Sequence, residues 1–160
     1  MKKLIFILLT FILNFNLFAT HIYDNTNNLI LYENIMSIVS KDLNLDTCNI
    51  NIIISYSTFD DQYDNHNNYL ASTRKIDCNT YSINITKCYN KKDEIISFIH
   101  ELVHIQQIQQ KRMVILSRSV WYDNVTYTNK DVFEIRNYET EAIKIANDLY
   151  FKNKKLFKLL

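Results

Sequence analysis

The chain has no glycine and no proline in 160 residues, and only four alanines, four arginines and one tryptophan. Asn, Ile, Lys and Tyr take their place, the bias expected of an AT-rich genome rather than a structural device. Without glycine, turns that need a positive φ fall to Asn and Asp, which tolerate that region best among the other residues. The expected turns are therefore NTNN (25–28), DQYDNHNN (61–68) and NK (129–130). The formal net charge is +1, and it falls to −1 once Lys2 and Lys3 are removed with residues 1–19. A nucleic-acid partner, which calls for a basic patch or stripe, is not expected. No C-x-x-C occurs, which argues against a cysteine-based zinc site. The three cysteines, Cys48, Cys78 and Cys88, allow one disulfide in an oxidising compartment, and their spacing does not choose among the three pairings. Internal repeats, low-complexity linkers and a second-domain boundary are also missing.

What is present is the composition of one folded domain, 48% hydrophobic and 22% charged. Residues 1–19 read as a secretory signal peptide: Lys2 and Lys3, an apolar run from Leu4 to Leu13, and cleavage after Ala19. An uncleaved anchor is the alternative. Export leaves residues 20–160 as the domain, periplasmic or extracellular, with no membrane association after cleavage.

Periodicity orders the rest. LILYENIMSIVSKDLN (29–44) carries apolar residues at helical spacing. NINIIIS (49–55) reads as a buried strand, and YLASTRKI (69–76) and TYSINIT (80–86) as two more, joined by a tight Asp77-Cys78-Asn79 hairpin. Residues 91–111 form a broadly apolar helix opened by Asp93 and Glu94, acids that suit the positive end of a helix dipole. Residues 113–135 read as irregular or short extended pieces, and 136–156 return to helical periodicity. The order predicts an α+β fold, with a small antiparallel or mixed sheet against the two later helices.

The central helix contains His100, Glu101 and His104 in the order H-E-x-x-H. Residues four apart share a helix face, so both imidazoles can converge on one Zn2+, while Glu101 reaches a water beside it. Zinc acidifies such a water, and a carboxylate can take its proton and return it to a leaving amine. A third ligand is needed, and NYETEAIKIA offers Glu139 and Glu141. Two residues along a helix is about 200°, so only one of them can face the histidines. Glu141 is favoured because Ala142 follows it, a small residue that lets two helices approach closely. His66 lies in an expected loop and His21 near the cleavage site. The bland reading is two histidines and an acid in an apolar helix, satisfied by hydrogen bonds alone.

HELVHIQQ followed by YETEA resembles the gluzincin type of zinc metallopeptidase, and within it small bacterial families with H-E-L-x-H-x-x-Q and Y-E-x-E-A. The likeness covers residues 97–110 and 136–146. It implies a zincin-like fold, a peptide or protein substrate, Glu101 as general base, and His100, His104 and Glu141 as metal ligands. Thermolysin-like enzymes also carry an aspartate four residues after the ligand glutamate, where it orients a histidine; here that position is Ile145, so support must come from elsewhere. Tyr122, Tyr127, Arg136 and Tyr138 are of the right type to stabilise an oxyanion. The expected function is that of a secreted zinc peptidase. The alternatives are a zinc-stabilised envelope or binding protein without turnover and an exported, inner-membrane-anchored domain whose partners are other proteins.

Overall fold

The computed structural model describes residues 21–47, 50–57, 71–86, 90–128, 130–132 and 136–160. The signal-peptide reading of residues 1–19, the turn expected at 61–68 with His66, and Cys48 and Cys88 lie outside the described residues. Cys78 is a free, exposed thiol. Among the described residues no helix is long and apolar enough to cross a membrane.

The fold is α+β. In chain order it runs β1 (His21–Asp24), α1 (Leu29–Val39), β2 (Asn51–Ser57), β3 (Ala71–Lys75), β4 (Thr80–Thr86), α2 (Lys91–Gln109), β5 (Met113–Ile115), β6 (Ser119–Tyr122), β7 (Val125–Thr128) and α3 (Asn137–Phe157). A mixed sheet has the order β1-β2-β4-β3, with β1 and β4 parallel to β2 and β3 antiparallel to β4. The sheet is mixed, within the range expected, but β1 was not foreseen. Its four residues follow the expected cleavage site and show their role only in pairing with β2, from Ile22 opposite Ile52 to Asp24 opposite Ile54. The β3–β4 hairpin turns where Asp77-Cys78-Asn79 was expected to turn it, with the Asp77 carboxylate accepting the backbone N–H groups of Asn79 and Thr80, both at 2.8 Å.

The expected strand alternation holds in β4: Tyr81, Ile83 and Ile85 are buried, and Ile52 and Ile54 of β2 join them in the core. Phe98, Ile99, Leu102, Val103 and Ile105 of α2 are fully buried in the same core. Hydrogen bonds then fix the height of α2. At its start Asn90 caps the helix by accepting the Asp93 N–H at 2.9 Å. One turn on, the Glu94 carboxylate accepts the hydroxyls of Tyr32 in α1 and Tyr56 in β2 at 2.7 and 2.8 Å. At the far end Gln109 exchanges two hydrogen bonds with the Asp46 backbone, at 3.0 and 2.8 Å.

The helix ends without glycine. Lys111 takes a left-handed φ of 59°, and the N–H groups of Lys111 and Arg112 turn back to the carbonyls of Ile108 and Gln107 at 3.0 and 2.9 Å. This is a Schellman closure, and it reverses the chain so that Arg112 returns toward α3. The segment at 113–135, expected to be irregular or short extended pieces, contains a three-stranded antiparallel meander, β5-β6-β7. Its second turn is Asp123-Asn124, with φ of 45° and 70°; positive φ at both central residues is the hairpin geometry that matches strand twist.

Candidate metal centre

His100 and His104 stand on one face of α2, with their rings edge to face and centroids 4.6 Å apart. The two Nε2 atoms are 2.9 Å apart. The carboxylate that meets them comes from the first turn of α3, and it belongs to Glu139: Oε2 lies 3.1 Å from His100 Nε2 and 3.3 Å from His104 Nε2. Glu101 completes the group, its carboxylate within 4.8 Å of both imidazoles.

The expectation that Glu141 faces the histidines is therefore corrected. Ala142 and Ala146 are fully buried on α3, so they do mark the close side of that helix. But a residue next to Ala142 is about 100° away from it, whereas residues three and seven before those alanines' positions share their face. Glu139 is three before Ala142 and seven before Ala146. Glu141 points aside and meets other partners: Arg112 Nη1 at 3.0 Å, Gln107 Nε2 at 3.0 Å, and the Tyr122 hydroxyl. Arg112 also holds Asp123, with Nη2 to Oδ2 at 2.6 Å, and its guanidinium lies over the Tyr122 ring at 5.0 Å.

The electrostatics follow from burial and neighbours. Desolvation pushes the fully enclosed Glu101 carboxyl above its ordinary value, and the two histidines only partly offset this. Burial alone would depress His104, yet its hydrogen bond to Glu139 and the charges of Glu101 and Glu139 outweigh it and push the imidazole up to about 9. Burial would likewise raise Glu139, but the hydrogen bonds from His100 and His104 win and hold it down to about 2. Its place in the first turn of α3 favours the anion in the same sense.

Two observations test whether a metal fits. Glu101 is 2% exposed, and its Oε2 is buried with no hydrogen-bond partner among the described residues. An unpaired buried carboxylate oxygen is costly unless a cation or its water answers it. Second, the triangle formed by the two Nε2 atoms and Glu139 Oε2 has edges of 2.9, 3.1 and 3.3 Å. Tetrahedral zinc, with N and O ligands at roughly 2.0–2.1 Å, sets such edges at about 3.3 Å. The observed edges are the same or somewhat shorter, so the three atoms are close enough together to share one metal ion.

A cavity of about 160 Å³ opens on this group, lined among others by Thr73, His100, Glu101, Tyr138 and Glu139. Of the four residues considered for an oxyanion, Tyr138 lines that cavity. Tyr122 is bonded to Glu141 and Arg112, Tyr127 is buried against the Tyr138 ring, and Arg136 donates to the Asp131 carbonyl at 2.7 Å. Gln107 and Arg112 were missed. The trace of Gln107 in the sequence is the glutamine three residues after the second histidine, but its burial was not readable there.

Zinc uptake should be pH-dependent in a defined direction. A protonated Nε2 cannot ligate, so zinc must displace the proton that Glu139 and Glu101 hold on His104. Apparent affinity is expected to rise by about tenfold per pH unit from pH 6 to 8, with one proton released per ion bound. Competition titration with a chromogenic chelator reads the slope, and a flat profile contradicts the assignment of His104.

Comparison of the chain with protein-family models, with curated proteins and with solved structures finds no match in any of the three.

Proposed function

We propose that the protein is a zinc-dependent metallopeptidase of zincin-like architecture, with His100, His104 and Glu139 holding the metal and Glu101 as general base. The observation that carries this reading is the convergence of three donor atoms from two helices beside a buried carboxylate with an unanswered oxygen. Zinc bound there would polarise a substrate carbonyl and acidify a water. Glu101 then accepts that water's proton and delivers it to the departing amine, a role suited to a carboxylate whose proton affinity burial has raised. Glu139 and the two imidazoles would hold the ion, and Tyr138 lines the adjoining cavity, where a substrate carbonyl could be met.

Access for a chain also supports the proposal. Among the described residues β3 is an edge strand of its sheet, and an extended peptide could pair along its outer side. A groove of about 920 Å³ runs between β3 and β5, and shares Thr73, Met113 and Ile115 with the cavity at the histidines. A peptide laid along that groove passes the candidate centre. We place the mature protein outside the cytoplasm on the signal-like residues 1–19.

The test is hydrolysis of an unstructured protein by the purified full chain loaded with zinc. Cleavage should stop with a chelator and return when zinc is restored. If a varied peptide panel stays intact while zinc is bound, the protein uses the metal for stability alone.

A further inference from the structure

The position four residues after Glu139 is Ile143, an exposed side chain, so no aspartate stands there to orient a histidine. His104 is nevertheless held on the side away from Glu139. Its Nδ1 lies 2.9 Å from Gln107 Oε1, one turn further along α2. Gln107 is fully buried, a rare state for a glutamine, and each of its amide atoms has a partner. Nε2 faces two acceptors that carry no proton to give: the Tyr138 backbone carbonyl at 3.2 Å and Glu141 Oε2 at 3.0 Å. An amide has one donor end and one acceptor end. Because the NH2 must meet those two oxygens, the carbonyl oxygen must meet His104, and Nδ1 must carry the proton. The neutral imidazole then has its lone pair on Nε2, the atom that faces His100 and Glu139.

We infer that Gln107 is the positioning residue of this site: anchored by Glu141 and the Tyr138 carbonyl, it fixes the tautomer and ring orientation of His104 for metal binding. The inference rests on the metal reading and deepens it. It also gives Glu141 a role. Arg112, Tyr122 and Gln107 all converge on that carboxylate, so the meander and the end of α2 are clamped to α3 behind the histidines.

The experiment uses side-chain nitrogen and proton NMR of the full chain, together with zinc affinity. In wild type, His104 should show an exchange-protected Nδ1–H both without zinc and with it. Gln107→Leu should lose that signal and weaken zinc binding by about 10- to 100-fold, the usual cost of removing a partner behind a ligand. Glu141→Ala removes one of the two anchors of Gln107 and leaves the Tyr138 carbonyl to hold its amide, so it should keep the signal and weaken zinc binding by about tenfold. A protected Nδ1–H that survives in folded Gln107→Leu overturns the inference, as does a folded Gln107→Leu that binds zinc as tightly as wild type. If wild type shows the Nδ1–H but binds no zinc, the positioning of His104 stands and the metal reading fails. If wild type binds zinc but lacks the Nδ1–H, the reverse holds.

Discussion

Glu139→Ala is expected to lose zinc, with affinity falling by more than about 100-fold, beyond what loss of a partner behind a ligand costs. The reason is geometric: Oε2 of Glu139 is within 3.1 and 3.3 Å of the two imidazole nitrogens, and no other carboxylate on α3 reaches them among the described residues. Two histidines alone leave zinc short of the three protein ligands that its catalytic sites use. Glu141→Ala should behave differently. It leaves His100, His104 and Glu139 in place and removes the anchor of Gln107, so zinc should still bind at about one equivalent, with affinity lowered by about tenfold. Metal stoichiometry and a competition titration on both variants separate the two. Retention of tight zinc by Glu139→Ala, with loss in Glu141→Ala, would reverse the assignment.

Glu101→Gln should leave the metal and remove the chemistry. The substitution keeps shape and volume in a site where the side chain is 2% exposed, and it removes the charge that accepts a proton. Peptide hydrolysis is expected to fall by about 10²- to 10⁴-fold, the usual contribution of a positioned acid–base group, while zinc content stays unchanged. A modest benefit to folding should accompany the loss, because a neutral amide is cheaper to bury than an unpaired carboxylate. A fall in zinc equal to the fall in activity would instead make Glu101 a ligand.

Hydrophobic periodicity was enough to find α1, α2, α3 and β4, because each buries one face and the sequence records which residues face inward; β2 was legible from its run of Ile, and β3, where only Ala71 is buried, from its place before the Asp77-Cys78-Asn79 turn. β1 was not legible: four residues just after an apolar stretch of sequence carry no pattern of their own, and their strand character comes from β2, some thirty residues away. The meander was only half legible. Its turn is Asp123-Asn124, where both residues take positive φ, and nothing in the flanking Val, Tyr and Trp distinguishes three short strands from irregular chain. At the site, helical spacing was sufficient to bring His100 and His104 together. Glu141 was expected to face the histidines, and Glu139 is the one that does, because adjacency to Ala142 was read in place of angular position. The alanines were the right clue, since their face is the face of Glu139. Gln107 was out of reach of pattern alone: its meaning lies in three hydrogen bonds, two of which cross from α2 to α3.

The same buried group admits one plainer reading, an ion pair between His104 and Glu139 that holds α2 to α3 without any metal. The most direct discriminator is zinc content and melting temperature of the purified full chain, measured on wild type and His104→Ala. The account predicts about one zinc per wild-type chain, a melting temperature that drops on chelation because the metal binds only the folded state, and neither property in His104→Ala. A wild-type chain that carries no zinc, and whose melting curve ignores both added zinc and chelator, would contradict it.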